Sequence, residues 1–146
     1  SSDWRVNKLG VPSFVFSREE FIAGVPILEK LAEYDVCLIV LAGFMNKISD
    51  VILQAFPGKI VNIHPALLPK YGGKGMYGMH VHEAVVKAGE RESGITIHYI
   101  NEHYDEGAII FQASCPVLPS DTPEEVASKV HALEYAHYPH VIESLL

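Results

Sequence analysis

The sequence predicts an α/β domain built on a doubly wound, mostly parallel sheet with an antiparallel hairpin at its C-terminal edge. Strand-like apolar runs alternate with helix-like stretches over residues 11–88, which is the pattern of parallel βα units. Two strand-like stretches, 95–99 and 108–116, then follow each other with only a turn between them, which favours a hairpin. Without internal repeats or linkers, residues 1–146 fit a single domain.

The composition fits a globular protein and excludes several other classes. Apolar residues make up 49% of the chain and charged residues 20%, which is too apolar for a disordered protein. With 11 Lys and Arg against 18 Asp and Glu, the net charge is −7, which argues against a nucleic-acid partner. The apolar runs are too short to span a bilayer and no signal-peptide pattern opens the chain. We therefore expect a cytoplasmic protein with no membrane contact.

The N-terminal part contains a helix-like stretch at residues 2–9 and a short strand-like stretch at residues 11–16. Ser17 and Glu20 then have the spacing of a capping box, in which the hydroxyl and the carboxylate each accept a hydrogen bond from a helix-end N–H. The sequence therefore predicts a helix over residues 18–34, with a break at its Gly-Val-Pro step.

Two unbroken apolar runs, residues 36–41 and 59–63, predict strands that are buried on both faces. Cys37 lies in the first run, so we expect it to be a buried, reduced thiol. Between the two runs, Ser49 is placed to cap a helix that ends near residue 56.

A glycine-rich loop follows the second run and leads to a helix expected over residues 80–88. The first hairpin strand shows the alternation of apolar and polar residues that is typical of a strand. Thr122, Pro123 and Glu125 supply an N-cap, a proline at the first helical position and a capping-box carboxylate. They predict the start of a long last helix.

Asn62 and His64 are the first candidate site residues. They lie two apart at the end of a predicted strand, so their side chains point to the same face. Ligands of open α/β sheets bind beyond the carboxyl ends of the strands, and an amide beside an imidazole suits the stabilisation of an oxyanion. The alternative is a polar strand end that satisfies only its own loop.

Asp105 lies in the turn between the two hairpin strands. An Asp shortly before a turn glycine often serves only the turn. If it lies near His64 instead, its carboxylate would raise the pKa of the imidazole and hold it protonated.

The eight histidines invite a metal interpretation that their spacing does not favour. His80 and His82 are two apart on a predicted helix, where such residues do not face each other. A second set of possible ligands repeats every three residues on the last helix: His131, Glu134, His137 and His140. Neither a cysteine nor an acidic cluster completes a metal site there. We therefore expect no metal, an amphipathic last helix, and a mobile loop rather than a phosphate cradle at residues 72–75.

Four segments, taken together, closely resemble the phosphoribosylglycinamide formyltransferases, a family of folate-dependent formyltransferases. In chain order they are LAGFM at residues 41–45, VNIHPALLPK at 61–70, GITIH at 94–98 and DEG at 105–107. The Asn-x-His-Pro-x-Leu-Leu-Pro element is specific to these enzymes and their relatives, and the resemblance covers nearly the whole chain.

The resemblance implies a formyltransferase-type, Rossmann-like fold and an enzyme of purine biosynthesis. The implied reaction moves the formyl group of 10-formyltetrahydrofolate to the amine of glycinamide ribonucleotide, by direct attack through a tetrahedral intermediate. It implies no metal and, as partners, these two small molecules. We expect a monomer or a weak homodimer.

The resemblance also implies roles for individual residues. The family's catalytic Asn, His and Asp fall on Asn62, His64 and Asp105. A helix glutamate that holds the ribonucleotide falls on Glu134. The folate-binding positions fall on Asn62 and on five further residues: Arg18, Met45, Asn46, Lys47 and Ile48.

Two features depart from the family pattern. The loop at residues 71–78 is longer and richer in glycine than the family's short loop. The family also begins with a strand and a Gly-Ser-Asn-type loop that binds the substrate phosphate at a helix N-terminus. The resemblance therefore implies that the domain lacks its first strand-helix-strand in this sequence.

Three alternatives stay open at the level of sequence. A methionyl-tRNA formyltransferase would need a C-terminal tRNA-binding domain and a basic face, which the net charge of −7 does not suggest. A formyltetrahydrofolate hydrolase shares the Asn, His and Asp but carries a regulatory domain. A non-catalytic folate-binding module would keep the fold without turnover.

Overall fold

A computed structural model describes residues 12, 14–42, 48–101 and 107–146; the helix expected at residues 2–9 lies outside them. Within these ranges, four strands form one sheet covered by helices. In chain order the elements are α1 Arg18–Ala23, α2 Val25–Glu33, β1 Ile39–Leu41, α3 Asp50–Ala55, β2 Ile60–His64, α4 Met79–Lys87, β3 Glu92–Tyr99, β4 Ile109–Pro116 and α5 Pro123–Leu145.

The sheet has the strand order β1-β2-β3-β4. β1 and β2 are parallel, with Leu41 opposite Asn62, whereas β2–β3 and β3–β4 are antiparallel. The α/β class and the antiparallel C-terminal hairpin are confirmed. In the described ranges the sheet is mixed, with β1 and β2 as its parallel pair.

The helices begin and break where the sequence predicts. The Ser17 hydroxyl accepts from the Glu20 N–H at 3.1 Å, and the Glu20 carboxylate accepts from the Ser17 N–H at 3.0 Å. Gly24 separates α1 from α2 with a φ of 79°, a left-handed conformation that favours glycine. The Thr122 hydroxyl caps α5 by accepting from the Glu125 N–H at 3.2 Å. Local chemistry therefore fixes these boundaries.

The larger core cluster joins the hairpin to α4 and α5. Ile95 and Ile97 of β3 are fully buried in it, together with Val81 of α4 and with Val126 and Val130 of α5. Burying side chains of this size contributes about 1.5–3 kcal/mol each. A smaller cluster packs α3 under the sheet through Ile48, Ile52 and Ile60. Together the clusters hold β2, which is buried along its whole length.

The first apolar run is shorter and less buried than the sequence predicts. The strand contains only residues 39–41 and forms one edge of the sheet that the described residues build, and Val40 is 38% exposed. Cys37 lies before the strand and is exposed, so the prediction of a buried thiol was wrong, whereas Cys115 of β4 is buried. An apolar run predicts a strand, but its burial depends on neighbours distant in sequence.

The prediction of a strand at residues 11–16 is also wrong for residues 14–16, because these residues form no regular secondary structure. Phe14 packs against Tyr34 with 5.5 Å between ring centroids, and Phe16 packs edge-on against Phe21 at 6.5 Å. The aromatic side chains of this segment therefore contact the neighbouring helices individually instead of forming a sheet face.

None of the helices in the described ranges combines the length and the apolarity that a membrane span requires.

Candidate active site at the end of β2

Four polar side chains share one face of the sheet where β2 ends. Asn62 is 7% exposed and His64 3%, and β3 places His98 opposite the first and Thr96 opposite the second. Side chains of directly opposite residues in an antiparallel pair lie on the same face. The structure thus brings Asn62 and His64 together as predicted and adds His98 and Thr96, both fully buried.

The imidazole of His64 has a defined orientation. Its Nε2 lies 2.7 Å from the carbonyl oxygen of Tyr71. A carbonyl oxygen only accepts hydrogen bonds, so Nε2 carries a proton and donates it. The hydrogen bond to Tyr71 therefore fixes which ring nitrogen is protonated when His64 is neutral.

The chain that follows His64 is held by side chains of the hairpin. The Thr96 hydroxyl donates to the Ala66 carbonyl at 2.7 Å and accepts from the Leu68 N–H at 3.0 Å. The Gln112 amide donates to the Leu68 carbonyl, also at 3.0 Å. These hydrogen bonds, of which the two made by Thr96 are buried, fasten the Pro65–Pro69 turn to β3 and β4 and so restrain the backbone next to His64.

The amide oxygen of Asn62 is buried and has no hydrogen-bond partner among the described residues. A buried acceptor without a partner costs about 1–3 kcal/mol. Such an atom, beside an imidazole at the end of a central strand, is suited to receive an N–H from a ligand. Asp105, the third predicted catalytic residue, lies outside the described residues.

Helix α5 reaches the same end of the sheet. The Tyr138 hydroxyl donates to the carbonyl of Leu41 at 2.6 Å, and Leu41 is the residue opposite Asn62 in the parallel pair. Glu134 lies one turn before Tyr138 on the helix. Burial raises the pKa of the Glu134 carboxyl, and the neighbouring His131 partly offsets that rise.

His82 is a buried polar residue near this site that the sequence analysis considered only as a metal ligand. It lies on α4, in the buried stripe with Val81 and Val85, and is 2% exposed. Burial lowers its pKa, and repulsion from His131 and His64 lowers it further. The helical spacing of that stripe was the signal that could have predicted its burial.

The lowered pKa predicts how stability responds to pH. Below about pH 6.5 the unfolded chain binds a proton at His82 that the folded chain does not, so the free energy of unfolding should fall as the pH decreases toward the folded pKa. A His82→Gln variant should lose less stability over this range. Urea unfolding of both proteins between about pH 7.5 and about pH 5.5 measures the difference, and identical pH slopes would contradict it.

Three of the six candidate folate-binding residues, Arg18, Ile48 and Asn62, lie within the described part of the chain. Arg18 lies exposed in the first turn of α1, and no described contact joins it to Asn62 or His64. The Ile48 side chain is 6% exposed and packs in the core with Ile52. Met45, Asn46 and Lys47 lie outside the described residues.

Among the residues that the structure covers, no group of three or more His, Cys, Asp or Glu side chains has a metal-binding arrangement.

The chain that forms this sheet belongs to a known class of group-transfer proteins. The formyl transferase family model matches residues 5–142, so the chain belongs to the formyl transferase family.

Several of the similar proteins are named phosphoribosylglycinamide formyltransferases. The chain is 42% identical over 141 residues to the chloroplastic phosphoribosylglycinamide formyltransferase of Arabidopsis thaliana, covering 93% of this chain and 48% of the relative. It is 39% identical over 143 residues to the Haemophilus influenzae enzyme of that name, covering 95% of this chain and 65% of the relative. The chain thus spans about half to two thirds of the length of these curated relatives.

The fold is similar to that of solved enzymes as well. The phosphoribosylglycinamide formyltransferase of Streptococcus pneumoniae superposes with a TM-score of 0.87 at 36% identity. The match covers 97% of this chain and 78% of that structure.

Proposed function

We propose that this chain forms a catalytic domain that transfers the formyl group of 10-formyltetrahydrofolate to the amine of glycinamide ribonucleotide, in the cytoplasm. The observation that carries the proposal is the pair Asn62 and His64, buried side by side at the end of β2. Family membership and the names of the similar proteins support the choice of substrates.

The proposed reaction needs no covalent intermediate with the protein. The substrate amine attacks the formyl carbon, the new C–N bond forms, and the carbonyl oxygen becomes an oxyanion. Protonated His64 and the Asn62 amide N–H groups would stabilise that charge. The bond from the formyl carbon to the folate nitrogen then breaks as that nitrogen takes up a proton from His64.

Two further interactions would orient the attacking amine and remove its proton. The Asn62 oxygen, which has no partner among the described residues, is placed to accept an N–H of the attacking amine, which would orient its lone pair toward the formyl carbon. Asp105 would favour the protonated form of His64 and order a water molecule that removes the amine proton. The neutral amide product and tetrahydrofolate would then leave.

A turnover assay tests the proposal directly. The protein expressed from its complete reading frame is mixed with glycinamide ribonucleotide and 10-formyltetrahydrofolate, and the deformylated folate is followed by absorbance. We expect turnover that depends on both substrates and continues in EDTA. Folate binding without turnover would support a binding module instead, and release of formate without ribonucleotide would support a hydrolase.

Glu134 is the proposed ribonucleotide contact, and its environment predicts the result of replacing it. Glu134→Gln should raise KM for the ribonucleotide by about tenfold, because a hydrogen bond to a charged group is lost, with a much smaller change in kcat. Burial disfavours the charged carboxylate, so its pKa is raised and the substitution should not lower stability at neutral pH.

The matched control is Glu143→Gln, which removes an exposed carboxylate from the same helix. It should leave both kinetic constants unchanged. An equal KM for the Glu134 and Glu143 variants would contradict the proposal that Glu134 contacts the ribonucleotide.

A further inference from the structure

Tyr71 has an unusual backbone conformation for its size. Its φ is 57°, in the left-handed region that bulky side chains rarely adopt and that costs about 1–2 kcal/mol. Such a conformation persists only where the surroundings hold it. This residue is also the one whose carbonyl accepts the hydrogen bond from His64 Nε2.

The Tyr71 side chain is held at its far end by Glu90. The phenol donates to the Glu90 carboxylate at 3.0 Å, and the Lys70 ammonium lies 3.6 Å from the same oxygen. Burial and the hydrogen bond to Glu90 raise the pKa of the phenol, so it stays a protonated donor at neutral pH. The aromatic ring also packs against the main core cluster.

A cavity of about 220 Å³ lies next to the hydrogen bond between Tyr71 and Glu90. Its lining includes Tyr71, Glu90, Leu67, Val85 and Ser93. The ring therefore has open space beside it. The core contacts the ring but leaves the cavity open beside it, and the hydrogen bond to Glu90 adds a directional restraint on the position of the ring.

We infer that Tyr71 is a positioning residue for His64. Its hydrogen bond to Glu90 keeps the Tyr71 carbonyl hydrogen-bonded to His64 Nε2, so Nδ1 is the ring nitrogen that exchanges a proton in the reaction. The catalytic role of Nδ1 rests on the proposed function, whereas the position of the proton on Nε2 does not. A carbonyl can only accept, so the neutral imidazole keeps its proton on Nε2. Proton transfer to the folate nitrogen therefore proceeds from Nδ1.

The hydrogen bond between Tyr71 and Glu90 can be tested kinetically, with a double variant that shows whether the two side chains act together. Tyr71→Phe and Glu90→Ala each break the same hydrogen bond, so each should lower kcat by about tenfold while KM changes little, since a misplaced proton donor affects the chemical step. The double variant should be no worse than either single variant, because both changes act through one link. Glu92→Ala removes an exposed carboxylate on the same cavity and should behave as wild type.

The second measurement does not need turnover. Long-range ¹H–¹⁵N spectra of the histidine rings identify which nitrogen is protonated, with His64→Gln used to assign the signals. We expect neutral His64 to carry its proton on Nε2 in the wild type, and a mixture of both forms in Tyr71→Phe and Glu90→Ala.

The two readouts separate the possible failures. If the wild type does not transfer formyl groups but shows the Nε2–H form, the proposed function fails and the positioning role stands. If the wild type turns over and Tyr71→Phe and Glu90→Ala match it in kcat, or if neutral His64 carries its proton on Nδ1, the positioning role is overturned.

Discussion

Replacing His64 by alanine should lower kcat by at least about 100-fold, the scale expected for losing a general acid or an oxyanion-stabilising donor. His64 ends a strand held in the sheet on both sides, and its ring is bonded to the Tyr71 carbonyl rather than packed in the apolar core. Removing the ring should therefore affect chemistry much more than folding.

The control for this prediction is structural. Circular dichroism and urea unfolding should show a folded His64→Ala protein with a substrate affinity close to that of the wild type. Asp105→Asn, which removes the charge proposed to keep His64 protonated, should also lower kcat by about 100-fold. Near-normal turnover of either variant would contradict the proposed mechanism.

Gly94→Ala should lower the free energy of unfolding by about 3 kcal/mol or more, or prevent folding. Gly94 lies opposite Ser114 in the hairpin. A Cβ atom there would overlap the carbonyl oxygen of Ala113 and lie 2.8 Å from Leu67 Cδ2. The first of these is backbone in a paired strand, so the crowding cannot be relieved by a rotamer change.

Gly58→Ala is the matched control for this crowding. Gly58 has a φ of 67°, and apart from its chain neighbours no heavy atom of the described residues lies within 4 Å of the position that an alanine Cβ would take. Alanine there adds backbone strain without a clash. Its cost should be about 1–2 kcal/mol. Urea unfolding compares the two variants, and a Gly94 variant no less stable than the Gly58 variant would show that the hairpin can widen.

The parts of the fold that the sequence predicts correctly depend on neighbours close along the chain. The caps at Ser17, Ser49 and Thr122 involve contacts two or three residues away. The shared face of Asn62 and His64 follows from the two-residue period of a strand. Both can be deduced from short segments without knowing the topology.

The parts that the sequence does not predict depend on contacts between distant segments. Cys37 is exposed because it lies before β1, a strand at the edge of the sheet formed by the described residues, and no local pattern encodes that position. The hydrogen bond between His64 and Tyr71 is made by a tyrosine in the left-handed conformation, and a tyrosine in the sequence gives no sign of that conformation. The clustering of His82 with His64 and His131 requires α4 and α5 to pack together.

The different environments of the two cysteines have a practical consequence for spectroscopy. Cys37 is exposed, whereas Cys115 is buried and its thiol pKa is raised by burial, which keeps it protonated and poorly nucleophilic. A maleimide dye should therefore attach to the native chain at one position, close to the start of β1 and without any substitution. Fluorescence of that dye would report on the sheet edge as ligands bind.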